Sequence, residues 1–387
     1  MLPSPANDPR EQMVMPYTLI AAEVSLYSGK ARAYLRHKRV PFEELFASRK
    51  VLVEIVRPKT GLAMIPVLLT PTGEAVQDTT AIIDHVEAKH PVRSVYPSTP
   101  LLRLASLLLE LYGDEWLLMP AMHYRWHYKR QNMRLIMTDF GQIVAPGLPA
   151  LLHPLAGLPL AAYFGGNYGR ALGINRHNRK AIERSYEAFL RDFNTHLGEY
   201  PYLLGARPSV GDFGFMGPLY AHLYRDPAPG QLMRRLAPRV ASWVERMNAT
   251  PTTNEDPGSF VPHDEPPPTL DPIFRRLFSE HWPVVADTIA GVDRWVRAHP
   301  NKPRISRFVG EHSFTIEGAT TTRWIQSFTQ WMAQRPLDAY HALGPEDRAR
   351  ADHWLARVGG DQALRSQPPT RVERVDNRLV PVRSDAR

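Results

Sequence analysis

Apolar positions near the start of the chain alternate between strand-like runs and helical stripes. Tyr17–Ala22 is a short apolar run that predicts a buried strand. A helix is predicted directly after it, because Tyr27, Ala31, Tyr34 and Leu35 recur at helical spacing. The chain therefore begins with a strand and helix that share one core.

The same alternation continues to about residue 98. Phe42–Phe46 predicts a second strand, and Leu52–Val56 predicts a short helix that ends before Pro58. A strand entered through Pro66 and a turn at Pro71–Glu74 follow. The predicted order is β-α-β-α-β-β-α, and its last helix is capped by Asp78 or Thr79.

After residue 100 the pattern becomes helical. Leu101–Leu118 is almost continuously apolar, and Lys180–Leu197 has apolar residues every three or four positions. Ser209 with Asp212 three residues later predicts a capping box at the start of a buried helix. Val240–Met247 predicts the last helix of this part.

A tail follows a segment rich in proline and acidic residues at 250–272. In the tail, Ile273–Ala298 and Thr320–Met332 look helical, and 365–387 looks loose. The tail holds many aromatic residues, which are too apolar for a solvated extension. We therefore expect it to pack on the helical part.

One run without formal charge, Phe140–Gly169, contains four prolines at intervals of three to five residues. These prolines disfavour a lipid-exposed helix across a membrane. We expect a hydrophobic loop packed over a cleft or a partner, covered by the tail over 141–166; contact with a membrane surface is the less favoured alternative. Residues 1–14 carry Asp8 and Glu11 and lack a signal-peptide core, so we expect a disordered lead and a cytoplasmic protein.

Composition narrows the chemistry. The 387 residues include no cysteine, which excludes disulfides, cysteine-ligated metals and a cysteine nucleophile, so a reactive thiol must come from a ligand. The net charge of +8 is scattered along the chain, and no stack of aromatic residues accompanies its densest cluster, Arg176, Arg179, Lys180 and Arg184. We therefore expect no nucleic-acid partner.

Four stretches together resemble the cytosolic glutathione transferase superfamily: SLYSGKARAYL, MIPVLL, QDTTAIIDHVE and YLLGARPSVGDFGF. The resemblance covers about 15–250. It implies a thioredoxin-like glutathione-binding domain at 15–98 and an all-helical domain at 100–250, with the mostly helical extension 251–387 packed on the latter. The order and spacing of the stretches make the resemblance specific.

The resemblance also implies a residue that activates the glutathione thiol. Ser25 aligns with the activating residue of serine- and cysteine-type transferases, with Ser28 and Tyr27 as alternatives. A helix N-terminus and a hydroxyl donor both favour a thiolate over a thiol. A serine here could instead serve only as the helix cap.

The family's glutathione contacts map onto a second set of residues. In the family a cis-proline loop pairs with the cysteinyl backbone, and an acid and a hydroxyl hold the γ-glutamyl end. The glycine carboxylate needs a cation, and Lys59 or Arg57 could replace the lysine that the family often has. The implied binding residues are Ile65, Pro66, Gln77, Asp78, Thr79 and Lys59.

An electrophile pocket is expected at the first helices of the helical domain. Its candidates are Trp116, Tyr124, Trp126 and Tyr128, and the alternative is that these side chains belong to the core. His123 and His127 stand four residues apart, but no HExxH glutamate accompanies them, so we expect no metal site.

These features lead to one expected function and one rival. The first is a glutathione transferase that conjugates a hydrophobic aromatic electrophile or displaces an ether or halide, and the resemblance implies that it is a homodimer. The rival is a metaxin-like protein of the same fold that binds ligands or proteins without catalysis.

Overall fold

The computed structural model describes residues 16–249 and 258–382. The predicted lead at 1–14 lies outside the described residues, as does the part of the predicted linker at 250–257.

A four-stranded mixed sheet forms the N-terminal layer. Its elements are β1 (Tyr17–Ala21), α1 (Leu26–Lys38), β2 (Phe42–Phe46), β3 (Val67–Leu69) and β4 (Ala75–Gln77). The strand order is β2-β1-β3-β4, with β1 and β2 parallel and the other pairs antiparallel. Helix α1 makes the crossover that a parallel pair requires. The alternation predicted from sequence is thus present.

The helix predicted to end before Pro58 instead continues past it. Helix α2 (Arg49–Val51), a π turn (Leu52–Val56) and α3 (Arg57–Thr60) follow one another without a break. Pro58 lies directly after the π turn, where the regular hydrogen-bond ladder is already interrupted, so its missing N–H does not end the helix. Helix α4 (Thr79–Lys89) completes this part.

The helical part begins with a long bent helix. It consists of α5 (Pro100–Leu111), a π turn (Tyr112–Trp116) and α6 (Leu118–His127). Helices α7 (Lys129–Val144) and α8 (His153–Ala171) form an antiparallel hairpin after it. The predicted hydrophobic loop at 141–166 is therefore wrong: most of that run is helical, because two of its prolines stand in the turn and another in the first turn of α8.

Four more helices build the core of the helical part: α9 (Arg179–His196), α10 (Val210–Ala221), α11 (Pro227–Leu236) and α12 (Pro238–Asn248). The predicted capping box of α10 is confirmed, since the Ser209 backbone N–H donates to Asp212 Oδ2 at 2.8 Å.

The tail is more varied than its sequence predicts. It starts with α13 (Asp271–Arg276), a π turn (Leu277–His281) and α14 (Trp282–Ala298). An antiparallel hairpin of β5 (Phe308–Ile316) and β6 (Ala319–Gln326) follows. The helix predicted over 320–332 is wrong up to Gln326, because the threonine-rich run there has high strand propensity.

The tail ends with α15 (Phe328–His341), α16 (Pro345–Arg357) and a short hairpin of β7 (Val372–Val375) and β8 (Arg378–Pro381). We call residues 372–381 the terminal hairpin. The prediction that 365–387 is loose is wrong for this segment, because its strands pair with each other and Gln334 of α15 bonds the Val372 backbone.

Buried side chains of the tail and of the helical part form one continuous core. Phe314 of β5 meets Trp116 edge-on with ring centroids 6.2 Å apart, and Ser185 of α9 donates to Glu280 at 2.7 Å. The tail does not cover the run at 141–166 as expected, because Leu151 there remains 89% exposed. Among the described residues, no helix has the length and apolar character needed to cross a membrane.

Candidate functional site

Three loops meet at one end of the sheet. Strand β1 runs toward Ser25, β3 begins just after Pro66, and β4 ends just before Asp78. In the sheet register Ile20 lies beside Val67, and Val67 lies beside Gln77. The end of β1, the start of β3 and the end of β4 therefore lie side by side, and the loops that carry Ser25, Pro66 and Asp78 leave the sheet at the same edge.

Ser25 is the N-cap of α1 and is half-buried. Its Oγ accepts a hydrogen bond from the Ser28 backbone N–H at 3.3 Å. The hydroxyl hydrogen has no acceptor within residues 16–249 and 258–382, so it is available to an anion at the helix N-terminus. The capping role and the predicted donor role are compatible, because the first uses a lone pair and the second uses the hydrogen.

The two alternatives to Ser25 have other surroundings. Ser28 is fully buried, and its Oγ accepts the Ala22 backbone N–H at 3.3 Å, which ties α1 to the end of β1. Tyr27 packs with the apolar group around Leu26 and Leu118. Of the two serines, Ser25 is therefore the more exposed.

The peptide bond between Ile65 and Pro66 is cis, as predicted. Gln77, at the end of β4, is buried and reaches across to this loop. Its Nε2 donates to Met64 O at 2.9 Å and to Thr60 Oγ1 at 3.4 Å. Gln77 thus positions the cis-proline loop with its side chain.

Asp78 caps α4 through its side chain. Its Oδ1 accepts the backbone N–H groups of Thr80 at 3.0 Å and of Ala81 at 3.1 Å. Its φ of 86° is rare for a residue with a side chain and is the kind of strain that concentrates at functional sites. Thr79, the first residue of the helix, is buried behind it.

The terminal hairpin reaches this part of the site, which sequence reasoning missed. Arg374 Nη1 lies 3.7 Å from Asp78 Oδ1, and its Nη2 donates to Gln77 O at 3.2 Å. The guanidinium is also held by Asn377 Oδ1 at 3.2 Å and lies 5.2 Å from the Trp331 ring centroid. These contacts fix Arg374 independently of Asp78.

A second contact anchors the same hairpin to the N-terminal layer. Asn377 donates from Nδ2 to Thr60 O at 3.2 Å. Between the hairpin, β4 and α4 lies an open cavity of about 820 Å³ in which basic side chains outnumber acidic ones. Its charged lining residues are Lys59, Arg304, Arg374, Arg378, Glu74 and Asp376.

Lys59, predicted to hold the glycine carboxylate, lines the same cavity as Arg374 and Gln77. It is exposed and donates from Nζ to Gly73 O at 3.1 Å, in the turn between β3 and β4. Asp78 follows the opposite end of β4. The contact of Lys59 with a glycine carboxylate stays a prediction, because Asp78 is assigned to the γ-glutamyl group at the opposite end of the tripeptide.

A buried charge cluster stands behind the site and joins three helices. Lys30 of α1 donates to Asp114 Oδ2 at 2.6 Å, to Glu110 Oε1 at 2.9 Å and to Thr80 Oγ1 at 3.4 Å. Burial raises the pKa of Asp114 to about 8, although the Lys30 charge opposes the shift. The cluster fixes the start of α4 relative to the helical part.

Glu115 adds a carboxyl group on the side of the helical part. It accepts a hydrogen bond from Thr329 of α15. Burial raises the pKa of Glu115 despite that bond, and the nearby Asp78 charge raises it further. Residues of the tail therefore reach the candidate site both at Asp78 and at Glu115.

The structure places the four candidates for the electrophile pocket in two different apolar groups. Trp116 stacks on His281 with centroids 5.3 Å apart, and Tyr124 stacks on Tyr128 at 5.2 Å, in the core of the helical part. Trp126 instead joins the apolar group under the sheet. These contacts are typical of core side chains, the alternative that the sequence left open, and the electrophile pocket stays a prediction.

Tyr128 is the half-buried member of the set and donates to Glu183 Oε1 at 2.8 Å. His123 contacts the same carboxylate at 2.9 Å and stacks on His127 with centroids 4.8 Å apart. No group of three or more candidate metal ligands occurs among residues 16–249 and 258–382.

Comparison with known proteins gives a family match for the N-terminal part. Residues 19–94 match the family model described as the glutathione S-transferase N-terminal domain. No match was found among curated protein sequences. The resemblance stated from sequence is confirmed for this segment, which has a thioredoxin-like fold and is followed by a helical part.

Solved structures of glutathione transferases are similar over about two thirds of the chain. A glutathione S-transferase from Rhodospirillum rubrum is 16% identical and covers 65% of this chain and 96% of its own, with a TM-score of 0.41. One from Methylobacterium radiotolerans, in complex with glutathione sulfonate, is 21% identical. The match covers 64% of this chain and 100% of that structure, with a TM-score of 0.40.

The beta-etherase LigF from Sphingobium is 19% identical and covers 61% of this chain and 96% of its own, with a TM-score of 0.44. At these identities and TM-scores the likeness carries no information on the substrate.

Proposed function

With residues 19–94 identified as a glutathione S-transferase N-terminal domain, we propose that the protein binds glutathione at the loop end of its sheet and activates the thiol for attack on a hydrophobic electrophile. The observation that carries the proposal is the meeting of three loops at one edge: the Ser25 cap, the cis-proline loop and the Asp78 cap. Each offers a group suited to one part of the tripeptide.

The thiol belongs at the N-terminus of α1. A free thiol has a pKa of about 8.5, so it is mostly protonated at neutral pH. The positive end of the helix dipole and the Ser25 hydroxyl hydrogen both stabilise the anion and lower that pKa. In the reaction the thiol proton passes to solvent, the thiolate forms a carbon–sulfur bond with the electrophile, and the leaving group departs with its bonding electrons.

The γ-glutamyl end belongs at the start of α4. The Asp78 carboxylate keeps Oδ2 available for the ammonium, since Oδ1 accepts the helix N–H groups. Thr79 and the helix N-terminus suit the α-carboxylate. Arg374 adds a guanidinium beside Asp78, so the pair presents opposite charges that match a zwitterion.

The family uses the backbone next to the cis-proline to bind the cysteinyl unit, and Ile65 stands there in this chain. Lys59 or Arg57 supplies the cation for the glycine carboxylate; Lys59 donates from Nζ to Gly73 O at 3.1 Å and lines the same cavity as Arg374. An aromatic electrophile, a homodimer, a cytoplasmic location and a role in detoxification remain predictions that come from the resemblance.

One observation favours the non-catalytic rival, in which the fold binds a ligand or a protein. The terminal hairpin lies against Gln77 and Asp78, which narrows access to the γ-glutamyl end. The rival predicts that glutathione binds without being converted, or does not bind.

Turnover measurements with the full chain separate the two functions. Glutathione is supplied with a nitro-activated aryl halide and, separately, with an aryl ether, and thioether formation is followed by mass spectrometry. The transferase proposal expects a thioether product with at least one of them and a loss of rate in Ser25→Ala. Saturable glutathione binding with no product from either class favours the rival.

A further inference from the structure

The end of the α7–α8 hairpin is an exposed apolar surface without any charge. We call residues 142–163 the hairpin end. Its leucines stand out from the surface, with Leu151 89%, Leu155 72% and Leu158 55% exposed. Soluble monomers rarely expose a contiguous patch of this kind without a binding role.

The hairpin is built so that these leucines cannot turn inward. A side chain on Gly141 would collide with the His153 backbone at 1.9 Å, and one on Gly157 would collide with Met137 O at 2.1 Å. The two helices therefore approach at backbone distance, and Ile136, Phe140 and Ile143 already fill the space between them and the sheet. No room remains there for the outer leucines.

Charge is absent from every side of the hairpin end. The run from Phe140 to Gly169 contains no Asp, Glu, Lys or Arg, and its one histidine, His153, is buried. A surface that receives another protein needs only one apolar face and usually keeps a polar rim. A segment that is uncharged all round suits immersion in an apolar phase.

Basic side chains are gathered at the base of the same hairpin. Lys129, Arg130 and Arg134 are exposed on the first turns of α7, and Arg170 is exposed near the end of α8. Because helices rise about 1.5 Å per residue, Arg134 lies roughly 15 Å along α7 from Val144 at its end. With that spacing, the apolar residues of the hairpin end can lie among the acyl chains while the basic side chains lie among the anionic headgroups.

We call Lys129, Arg130, Arg134 and Arg170 the basic collar, and the acidic group nearest to the hairpin end does not offset its charge. Asp139, the acid nearest the hairpin end on α7, is paired with Arg225 at 3.1 Å. Tyr163, which is 62% exposed, lies between the leucines and Arg170 and suits the interfacial level of a bilayer.

We propose that the hairpin end docks the protein on a lipid surface that contains anionic phospholipid, with its leucines inserted into one leaflet. The inference rests on the apolar end, its lack of charge and the basic collar, and it is independent of glutathione binding.

Flotation of the full chain with vesicles tests the proposal. One set of vesicles contains phosphatidylcholine alone, and the other contains equal parts of phosphatidylcholine and phosphatidylglycerol. We expect the protein to float with the anionic vesicles, less with the neutral ones, and less at high salt because exposed charges are screened. Failure to float with the anionic vesicles overturns the proposal.

Matched variants then locate the contact. Leu151→Glu with Leu155→Glu is expected to lower the partition coefficient at least about tenfold. Val53→Glu with Val92→Glu, at two exposed apolar residues outside the hairpin, is the control and is expected to leave it unchanged. Circular dichroism and the melting temperature establish that both variants are folded. Equal flotation of the leucine variant and the wild type overturns the proposal.

Light scattering without lipid tests whether the hairpin end binds a second copy of the chain instead of a lipid surface. If the wild type is dimeric, the leucine variant is monomeric and neither binds vesicles, the hairpin end joins two copies and the proposal is wrong. Arg130→Gln with Arg134→Gln is expected to reduce binding to anionic vesicles severalfold while leaving weak binding to neutral ones. If this double change has no effect on vesicle binding, the collar does not have the role assigned to it.

Discussion

Arg374 in the terminal hairpin lies with Nη1 3.7 Å from Oδ1 of Asp78, at the start of α4. The two residues come from opposite ends of the chain, and the contact makes the tail part of the candidate glutathione site. Gln77, Asn377 and Trp331 also contact the guanidinium, so its position does not depend on the Asp78 carboxylate alone. A zwitterionic ligand can therefore meet both charges.

Replacing Arg374 tests that arrangement. Arg374→Ala is expected to weaken glutathione binding about tenfold, because a charge-assisted hydrogen bond to the α-carboxylate is lost. Calorimetric titration measures the Kd. A glutathione analogue without the γ-glutamyl α-carboxylate is expected to bind the variant and the wild type equally.

Arg378→Ala is the control for the Arg374 change, since Arg378 lines the same cavity and is not in contact with Asp78. It is expected to bind glutathione like the wild type. Tighter binding by Arg374→Ala would mean that the guanidinium competes with the ammonium for Asp78, which contradicts the assigned role.

Ser25 is expected to act on the rate rather than on binding. Ser25→Ala removes one hydrogen-bond donor to the thiolate, which is worth about 1.5–3 kcal/mol and corresponds to a roughly ten- to hundredfold loss in kcat. Glutathione affinity should change little. The pKa of the bound thiol, followed by thiolate absorbance against pH, should rise in the variant; an unchanged pKa and rate would move the role to the helix N-terminus alone.

Several features of the site were predictable from sequence because they depend on neighbours in the chain. The Ser25 cap and the Asp78 cap follow from short local patterns, and the cis bond before Pro66 follows from the family resemblance of a short stretch. Arg374 was not predictable in this way, because its role depends on where a distant hairpin folds back. A terminal stretch with several arginines gives no signal of which one is buried.

Aromatic side chains show a second limit of sequence reasoning. Trp116 and Tyr124 recur at helical spacing, and that pattern is the same for a pocket and for a core. The residues that contact each side chain distinguish a pocket from a core, and here His281 of the tail stacks on Trp116. In the tail itself, the segment from Thr320 was predicted to be helical, whereas its β-branched threonines lie in a strand up to Gln326.

The buried cluster around Lys30 predicts a dependence of stability on pH. Burial raises the pKa of Asp114 from its ordinary value of 3.8 to about 8, so the folded state binds a proton that the unfolded state releases. This contribution to stability is complete below pH about 4 and is lost as pH rises through about 8.

Asp114→Asn isolates that contribution. The variant keeps a neutral side chain at every pH, so the wild type should lose stability relative to it between about pH 4 and about pH 8, by on the order of a few kcal/mol. Urea unfolding at several pH values measures the difference, in which titrating groups distant from the cluster cancel. A difference that does not vary with pH would contradict a protonated Asp114.

Removal of the tail is expected to destabilise the rest of the chain. A chain truncated after Met247 exposes Trp116 and the faces of α5 and α9 that α15 and α13 cover. We expect an aggregating product or a clearly lower melting temperature, because large buried aromatic groups lose their contacts. A soluble, monodisperse product with an unchanged melting temperature would show that the tail is not part of the fold.

Calorimetric titration of the full chain with glutathione, carried out on the wild type and on Asp78→Asn, tests the central proposal most directly. Asparagine can still cap α4 and tolerates the positive φ of this position, so the change removes the charge and preserves the fold. We expect saturable binding by the wild type and a Kd at least about tenfold higher for Asp78→Asn. Absence of binding by the wild type, or equal affinity of the two proteins, would contradict a glutathione site at the loop end of the sheet.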